Sequence, residues 1–480
     1  MADNVRTTPL RLRPNEHRTI LFFGDLLMAI GSVIGAIYTW IEYNRYILIN
    51  VQGIKPNRVP QFVEVPLWFY LLPLIWLILM VELYEPHVAS SFRRTLRGIA
   101  IAAFVGLAGY SIVFIVRQEP TSLPRIAVGA FLLYASVLTL SWRLLYIRVY
   151  KTTGQMRRVL VVGAGAAGQT LAELYRSMST RSFNMVGYID DDPRKVGKSY
   201  HGFPVISSST KLLRTIDAYR ISDLVVAING EIRGDTFQAI LDAQERGVEV
   251  TRMPILYEEM TGRVPIHHLE SDWIIRSFVD EVKKSGVYDF TKRVLDIFGG
   301  LAGLFVLVVI YPFTALATMI DSGLPIFYSQ GRLGRGGMTF TILKFRTMER
   351  DAELDGEAKL AEENDPRITR VGRFLRRTRL DELPQFLNVL RGEMSLVGPR
   401  AERPELVRSF QKQIPFYRAR LLVKPGLTGW AQINYGYVAS VTETAVKLEY
   451  DLYYIKHRTL AMDFTIILRT IGTVLRRTGR

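Results

Sequence analysis

Two adjacent carboxylates, Asp381 and Glu382, follow a basic stretch in the last third of the chain. One carboxylate can attack phosphorus and form an acyl phosphate, which divides a difficult displacement into two easier steps. The other can hold Mg²⁺, which binds carboxylate and phosphate oxygens together. Neighbouring arginines would neutralise charge on a transferring phosphoryl group. The pattern suits phosphoryl chemistry, but ion pairs on a solvated helix would look the same and are the commoner explanation for such a pair alone. The basic stretch consists of Arg370, Arg373, Arg376, Arg377 and Arg379.

Ordered polar motifs surround this pair from about Tyr288 to Val474. In their order they closely resemble the bacterial sugar transferase family, the monotopic polyprenol-phosphate phosphoglycosyl transferases. The layout of the whole chain resembles the long members that start exopolysaccharide or O-antigen assembly. The motifs are Lys292-Arg293 with Asp296, Phe327–Gln330 with Arg332–Arg335, Lys344–Met348, Leu380–Gln385, Asn388–Leu390 with Gly392, Ser395–Arg400 and Val423–Gln432.

The resemblance implies a reaction and a role for each matching residue. Asp381 would be the nucleophile that takes a hexose 1-phosphate from a UDP-sugar and releases UMP, and Glu382 would be the Mg²⁺ ligand. Undecaprenyl phosphate would then attack the covalent intermediate and leave as the lipid diphosphate sugar. Long members usually carry glucose or galactose, but the residues do not determine which. The resemblance also implies substrate-binding roles for Lys344, Arg346, Arg376 and Arg400.

Composition and charge limit the other classes of function. The 480 residues include no cysteine, so disulfides, thiolate metal sites and a cysteine nucleophile are excluded. The net charge of +16, from 61 Lys and Arg against 45 Asp and Glu, fits nucleic acid, an anionic membrane or phosphate-bearing substrates. Because most of this charge flanks apolar runs or belongs to the motifs above, nucleic acid is disfavoured as a partner.

Four apolar runs predict a transmembrane domain over residues 1–150. Three regions flanking these runs carry most of the Lys and Arg: the N-terminal tail, Glu85–Arg97 and Arg143–Arg158. This bias predicts that the N-terminus and all residues after Tyr150 lie on the cytoplasmic face of a bacterial inner membrane. Asp25, Glu82 and Arg143 interrupt the apolar character. The runs are Ile20–Trp40, Pro66–Leu83, Gly98–Val116 and Ile126–Ile147.

A Rossmann-like parallel-sheet domain is predicted over residues 151–275. The apolar strand Arg158–Val162 is followed by G-x-G-x-x-G at Gly163, Gly165 and Gly168. Asp190 follows a second strand, near the spacing at which an acid binds a ribose hydroxyl. These four residues are candidates for binding a nucleotide cofactor. Two alternatives stay open, because the glycines can serve only the turn and helix packing, and the domain can be a docking module.

A fifth apolar run, Val294–Ile320, lies in the predicted catalytic domain, a mostly α monotopic domain over residues 286–480. Basic residues flank both of its ends, and Pro312 removes a backbone donor inside it. We therefore expect a re-entrant helix that breaks near Tyr311-Pro312 and returns to the cytoplasmic side. The alternative is a kinked helix that spans the bilayer.

Apolar and aromatic residues near the C-terminus, Tyr450–Ile455 and Phe464–Leu468, suit either interfacial helices or an ordinary packed helix pair. A membrane-bound nucleotide-sugar dehydratase or epimerase is an alternative enzyme. It would need a Tyr-x-x-x-Lys pair, and Tyr288 and Lys292 have that spacing. They directly precede an apolar run, however, and no second glycine fingerprint follows Gly168, so the sequence disfavours this class. An inactive scaffold of polysaccharide assembly stays open, and a homodimer is compatible with the sequence.

Overall fold

The computed structural model describes residues 14–55, 65–84, 92–117, 124–152, 157–178, 183–269, 286–349, 365–436 and 440–475. They belong to two compact units, Met1–Met156 and Arg157–Arg480. Three parts of the sequence predictions lie outside the described residues. They are the N-terminal tail before residue 14, residues 85–91 of the Glu85–Arg97 loop, and the predicted domain boundary between residues 275 and 286.

Helices make up the described part of the first unit. Helix α1 is followed by a π-helical turn, Ile47–Val51, and α2 lies between two 3₁₀ helices, Leu67–Leu71 and Val81–Tyr84. The α-helices are α1 (Pro14–Tyr46), α2 (Leu72–Leu79), α3 (Phe92–Arg117) and α4 (Arg125–Thr152).

Four helices in the described part of the chain are long and apolar enough to cross a membrane. Three of them coincide with predicted spans. The structure differs at the fourth predicted span, Pro66–Leu83. Its apolar helical segment, Leu67–Leu79, is shorter than these helices and is not among the four. Pro73 has no N–H to continue the preceding turn, so α2 begins anew there. The four long helices are Thr19–Val51, Phe92–Ile115, Arg125–Arg148 and Gly286–Ser322.

A buried ion pair accounts for two of the charged residues in the predicted spans. Arg143 Nη2 lies 2.7 Å from Asp25 Oδ2, and both side chains are buried. Arg143 Nη1 also donates to the Leu83 carbonyl at 2.8 Å. The pair therefore ties α1, α4 and the Val81–Tyr84 turn together and satisfies both charges away from lipid.

The second unit begins with a doubly wound sheet, as predicted. Its strand order is β3-β4-β2-β1-β5-β6, parallel except for β3. Helices cover both faces, so strand β1 buries Val159 and Val161 on one side and Leu160 and Val162 on the other. The strands are β1 (Arg157–Val162), β2 (Phe183–Ile189), β3 (Ser199–Tyr200), β4 (Phe203–Ser207), β5 (Asp223–Val226) and β6 (Glu249–Arg252). The helices are α5 (Ala166–Ser177), α6 (Leu212–Tyr219), α7 (Gly234–Glu245) and α8 (Met253–Thr261).

The rest of this unit is mostly helical, with an antiparallel hairpin of β7 and β8 and a short parallel pair of β9 and β10. The helices are α9 (Gly286–Ser322), α10 (Arg370–Thr378), α11 (Phe386–Arg391), α12 (Pro404–Phe410), α13 (Trp430–Asn434), α14 (Val441–His457) and α15 (Leu460–Leu475). The strands are β7 (Phe327–Leu333), β8 (Thr339–Phe345), β9 (Ser395–Val397) and β10 (Gly426–Thr428).

Helices α14 and α15 form a packed pair rather than two interfacial helices. Leu452, Tyr454 and Ile455 of α14 and Ile466 of α15 are buried in one core with Trp430. Residues 264 and 266, which follow the sheet, join the same core. The C-terminal aromatic residues therefore stabilise the globular unit.

Helix α9 runs through Pro312 without interruption, so the break expected at Tyr311-Pro312 is absent from Gly286–Ser322. The Thr314 hydroxyl donates to the carbonyls of Ile310 and Tyr311, next to the proline. Three glycines of α9 face the rest of the unit and allow close contact. Gly299 contacts Leu396, Gly300 contacts Leu390 and Gly303 contacts Phe386.

Candidate active site

The carboxylate pair lies on a 3₁₀ helix, Leu380–Gln385, directly after α10. Helix α10 begins with the Thr369 side chain accepting from Gly372 N and ends at Arg379, whose φ of 57° is left-handed. This change of direction places Asp381 and Glu382 in the first turn of the new helix, which packs against β8. Gly372 lies so close to the Thr347 backbone that a Cβ would collide with it. The loop after β8 and α10 thus fix the pair in position.

Glu382 is held by cations from two other elements. Lys344 Nζ on β8 donates to its Oε1 at 2.8 Å, and Arg400 Nη2 donates to the same oxygen at 2.9 Å. Burial alone would raise the pKa of Glu382, but Arg400 and Lys344 hold it well below its ordinary value. Burial lowers the pKa of Lys344, whereas the charge of Glu382 raises that of Arg400. Glu382 is therefore an ionised carboxylate with a fixed orientation.

Asp381 is buried, with 8% of its surface exposed, yet its carboxylate has no hydrogen bond or ion pair with any described residue. Burial and the charge of Glu382 raise its pKa to about 6, and Lys344, Arg376 and Arg400 oppose that shift. A carboxylate oxygen without a hydrogen bond keeps its lone pairs available for attack. Positive charges around it favour the approach of a phosphate group.

Arg376 approaches the pair from α10. Its Nε donates to Thr347 Oγ1 at 2.9 Å, which leaves its Nη1 and Nη2 without a hydrogen bond to the described residues. Burial lowers the pKa of Arg376, and Asp381 is the carboxylate that opposes this shift most. The structure thus brings Lys344, Arg376 and Arg400 to the carboxylate pair.

Arg346 is the predicted substrate-binding residue that the structure places elsewhere. Its Nη2 donates to the Ser322 carbonyl at 2.5 Å and to the Gly323 carbonyl. The side chain therefore lies at the C-terminal end of α9 rather than on Asp381 or Glu382. Strand β8 ends at Phe345. The alternation of side chains between the two faces of the strand, which points Lys344 toward Glu382, therefore does not extend to Arg346.

Arg420, which the sequence analysis did not single out, supports Arg400 from behind. Its Nη2 donates to the Arg400 carbonyl at 3.1 Å and to Asp451 at 2.9 Å, and its Nη1 lies 3.3 Å from Glu402. Asp451, Glu402 and Arg400 lie far from Arg420 along the chain, so no sequence motif connects them to it. The contact between Arg420 and the Arg400 backbone follows only from the tertiary fold.

The donor set fits a magnesium ion that is shared with a bound phosphate. Among the described residues, no three His, Cys, Asp or Glu side chains are grouped to hold a metal. Glu382 Oε1 is occupied by Lys344 and Arg400, but Oε2 has only Arg379 Nη1 at 3.9 Å. Magnesium is often held by one or two carboxylates, substrate phosphate oxygens and water. Glu382 Oε2 can supply such a ligand.

The glycine motif after β1 serves the turn and the packing of α5. Gly163 has a φ of +108°, and a Cβ on it would lie 2.8 Å from the Ala227 carbonyl oxygen. A Cβ on Gly168 would collide with the Gly163 carbonyl, and Gly165 precedes the first turn of α5. The nucleotide predicted for this turn stays a prediction.

Asp190, the fourth nucleotide-binding candidate, is engaged by the protein itself. Its Oδ2 accepts from Ala164 N at 2.8 Å and from Lys195 Nζ at 2.9 Å, and its Oδ1 accepts from Asp192 N at 2.9 Å. These contacts tie the end of β2 to the glycine turn. In this conformation the Asp190 carboxylate stabilises the turn.

The Tyr-x-x-x-Lys pair has a structural partner as well. Tyr288 OH donates to Asp463 Oδ2 at 3.1 Å, and Lys292 Nζ donates to the same oxygen at 2.9 Å. Asp463 is fully buried on α15. The two residues join α9 to α15, which agrees with the rejection of a dehydratase or epimerase.

The long apolar helices are typical of a membrane protein, and a buried carboxylate pair among three cations suits phosphoryl transfer. Comparison with known proteins extends this conclusion: residues 287–477 match the family described as bacterial sugar transferase, and residues 80–253 match a family described as CoA-binding domain. The protein belongs to the bacterial sugar transferase family.

Three relatives illustrate the similarity. UDP-N-acetylgalactosamine-undecaprenyl-phosphate N-acetylgalactosaminephosphotransferase of Aeromonas hydrophila is 40% identical over 48% of this chain and 52% of its own length. UDP-glucose:undecaprenyl-phosphate glucose-1-phosphate transferase of Escherichia coli (strain K12) is 34% identical over 66% of this chain and 67% of its own. UDP-galactose-lipid carrier transferase of Erwinia amylovora is 30% identical over 67% and 69%. The chain thus matches about half of the first relative and about two thirds of the others.

Proposed function

We propose that the protein transfers a sugar 1-phosphate from a UDP-sugar to undecaprenyl phosphate. The products are UMP and undecaprenyl-diphosphate-sugar, in the first membrane step of exopolysaccharide or O-antigen synthesis. The observation that carries this proposal is the contrast between Asp381, buried without a partner, and Glu382, clamped beside it. The names of the relatives, which include undecaprenyl-phosphate transferases for glucose and N-acetylgalactosamine, support the substrate class.

The reaction proceeds in two displacements at one phosphorus. An Asp381 oxygen attacks the phosphorus that bears the sugar, the bond to the oxygen shared with UMP breaks, and UMP leaves with that electron pair. The sugar 1-phosphate is then an acyl phosphate on Asp381. An oxygen of undecaprenyl phosphate next attacks the same phosphorus, the bond to Asp381 breaks, and the carboxylate is restored.

The cations around the pair have distinct tasks in these steps. Lys344 and Arg400 orient Glu382 and, with Arg376, offset the negative charge of the incoming diphosphate. Glu382 would hold a magnesium ion, which would supply further neutralisation of charge on the phosphates. Asp381 stays free of hydrogen bonds until substrate arrives.

We also propose that α9 enters the membrane from the cytoplasmic side and does not cross it. Its 37 residues extend about 55 Å, enough to put its ends on opposite sides of a bilayer. Both ends instead contact one unit: Arg293 donates to the carbonyls of Val389 and Leu390, and Asp321 accepts from Val371 N. Such contacts favour an embedded helix over a spanning one.

The outward face of α9 supports this arrangement. It exposes large apolar side chains at helical spacing, which would contact lipid on one side while the glycines pack on the other. A C-terminal reporter tests this topology, because it should be active in the cytoplasm; activity only outside the cytoplasm would contradict it. The exposed residues include Phe298, Leu301, Phe305, Val309, Phe313, Leu316 and Ile320. The homodimer stays a prediction.

Turnover of labelled substrates tests the proposed function. The full chain in lipid nanodiscs, with Mg²⁺ and undecaprenyl phosphate, is incubated separately with UDP-glucose, UDP-galactose and UDP-N-acetylgalactosamine. We expect UMP release with one donor preferred. Folded protein that releases no UMP from any of the three would contradict the proposal and favour the inactive scaffold.

A further inference from the structure

A small, partly open pocket lies beside Arg400, the residue whose guanidinium holds Glu382. The end of β7, the segment Pro399–Val407 and residues 420–425 form it together. Ligand sites commonly combine an apolar lining with a few charged or polar groups in fixed positions. The charged residues of this lining are Arg400, Glu402 and Arg420, and the apolar ones include Leu333, Pro399, Val407, Val423 and Pro425.

Glu402 is fixed in this pocket by its backbone and by two cations. Its carbonyl accepts from Leu333 N at 3.0 Å, and its Oε1 accepts from Lys447 Nζ at 3.0 Å and lies 3.3 Å from Arg420 Nη1. Burial alone would raise the pKa of Glu402, but Lys447 and Arg420 lower it to about 2. The side chain is therefore a carboxylate anion in a fixed position.

The second carboxylate oxygen of Glu402 is open to a ligand. Lys447 and Arg420 both approach Oε1, and Oε2 accepts no hydrogen bond from a described residue. It is also not among the buried atoms that lack a partner, and 15% of the side chain is exposed. An acceptor that is already oriented and accessible can bind a donor without a rearrangement of the protein.

The chemistry of this oxygen favours hydroxyl groups over phosphate. An ionised carboxylate only accepts hydrogen bonds, and its charge repels a phosphate group. Hydroxyls on neighbouring carbons suit such an acceptor, as the ribose does in dinucleotide-binding folds, where an acidic residue binds it. The small size of the pocket suits one sugar ring rather than a complete nucleotide.

Arg400 connects the pocket to the reacting groups. Its Nη2 donates to Glu382 Oε1 at 2.9 Å, whereas its carbonyl accepts from Arg420 within the lining of the pocket. In the proposed reaction, Asp381 attacks the phosphorus that bears the sugar, and UMP extends from that phosphorus as the leaving group. A diphosphate in contact with the Arg400 guanidinium would therefore direct the ribose of UMP toward Glu402, two residues further along the chain.

We propose that Glu402 Oε2 binds the ribose hydroxyls of the uridine nucleotide. This inference rests on the proposed function, because it places the UMP half of the donor substrate in the pocket beside Arg400. The transferred hexose has hydroxyls of the same chemistry, and the uracil ring has an N–H donor. UMP, which has no hexose, and its 2′-deoxy and cytidine analogues separate these sources.

Equilibrium binding of UMP to the full chain, in lipid nanodiscs with Mg²⁺, tests the proposal without turnover. The wild type should bind UMP about tenfold more tightly than 2′-deoxy-UMP, the equivalent of about 1.4 kcal/mol. This ratio should fall to within about twofold in Glu402→Ala and to about threefold in Glu402→Gln, whose neutral amide oxygen still accepts a hydrogen bond. Glu405→Gln is the matched control, because it removes a carboxylate that is exposed on α12, and it should keep the wild-type ratio.

Three outcomes would overturn the inference. One is a wild type that binds UMP and 2′-deoxy-UMP equally. Another is an unchanged ratio in both Glu402 variants, even if they bind both nucleotides more weakly, because Glu402 would then only support Arg420 and Lys447. The third is a lost preference for UMP over CMP with the deoxy ratio unchanged, which would assign the carboxylate to the base. If Glu402→Ala does not fold, Glu402→Gln decides alone.

Turnover of UDP-sugars by the same preparations separates this inference from the proposed function. UMP release by a chain that binds UMP and 2′-deoxy-UMP equally would remove the ribose site and leave the proposed function intact. A preference for UMP that depends on Glu402, in a chain that releases no UMP from any donor, would support the site and contradict the proposed function.

Discussion

Asp190 and Asp381 are two acidic residues for which the sequence predicts a role in ligand binding or catalysis. In the structure, the carboxylate of Asp190 accepts several hydrogen bonds, whereas that of Asp381 accepts none from the described residues. Asp190, at the end of β2, accepts hydrogen bonds from Ala164 N, Lys195 Nζ and Asp192 N. Asp381 accepts none from the described residues, although it is buried and three cations act on it.

The difference shows what distinguishes a structural carboxylate from a reactive one in this protein. A carboxylate that is satisfied by backbone N–H groups stabilises its turn and is costly to remove. A buried carboxylate that is left unsatisfied destabilises the fold and keeps its oxygens free for a substrate. Removing each one should therefore have opposite effects on stability and on activity.

The largest expected effect is on turnover in Asp381→Asn. The amide cannot attack phosphorus as a carboxylate does, so UMP release should fall about 10⁴-fold. The variant should melt at or above the wild-type temperature, because a buried charge next to Glu382 is removed. Turnover within tenfold of wild type would contradict the assignment.

Glu382→Gln should lose less activity. The amide keeps the shape but leaves Lys344 and Arg400 without the carboxylate that they clamp, and it removes the proposed magnesium ligand. We expect a fall in kcat of about 10²-fold, and a weaker dependence of rate on Mg²⁺ concentration. Titration of activity with Mg²⁺ measures this, and an unchanged Mg²⁺ dependence would remove Glu382 from the metal site.

Asp190→Ala should give the reverse pattern. Loss of the acceptor for Ala164 N and Asp192 N should lower the free energy of unfolding by about 2 kcal/mol, while UMP release per folded molecule stays within about twofold. Thermal melting and turnover on the same preparation measure both. Lost activity with an unchanged melting temperature would instead favour a nucleotide at the glycine turn.

The smallest effect concerns Glu449, which joins the sheet to the catalytic part. Burial raises its pKa to about 7, against opposing effects of Arg263 at 3.6 Å and of the Tyr257 hydroxyl. Because the folded-state pKa exceeds the ordinary value of 4.5, the folded chain holds a proton that the unfolded chain releases. Its contribution to stability therefore falls as pH rises from about 4.5 to about 7.

Glu449→Gln should flatten this part of the pH dependence. The melting temperature of the variant relative to wild type should be a few degrees higher at pH 8 than at pH 5, because the variant lacks the contribution that falls with pH. The other titrating groups are the same in both chains, so their effects on the melting temperature cancel in the difference. An identical change in both chains would contradict the raised pKa.

Hydrophobicity and motif order predicted much of the fold, because long apolar runs and strand-glycine-helix patterns are local signals. The effect of a proline was harder to predict. An α-helix begins beside Pro73 inside Pro66–Leu83, whereas α9 continues through Pro312, where a break was expected. Local signals also failed where a tertiary contact decides. Tyr454 suits a membrane interface by composition, yet Trp430 and its neighbours bury it.

The same limit applies to the candidate site. The ordered motifs placed Lys344, Arg376 and Arg400 beside Asp381 and Glu382, but they did not show which carboxylate has no partner. That depends on Lys344, 38 residues earlier in the chain, and on Arg400, 18 residues later. Arg346 belongs to the same motif as Lys344 and turns instead to the end of α9.

The most direct measurement of the central claim is capture of the sugar phosphate on Asp381. The full chain is incubated with Mg²⁺ and UDP-sugar labelled at the phosphorus next to the sugar, without undecaprenyl phosphate, and the labelled peptide is identified by mass spectrometry. We predict one label per chain on the peptide that contains Asp381, removed by later addition of undecaprenyl phosphate and absent in Asp381→Asn. Label on another residue, or full turnover by a chain that never becomes labelled, would contradict the account.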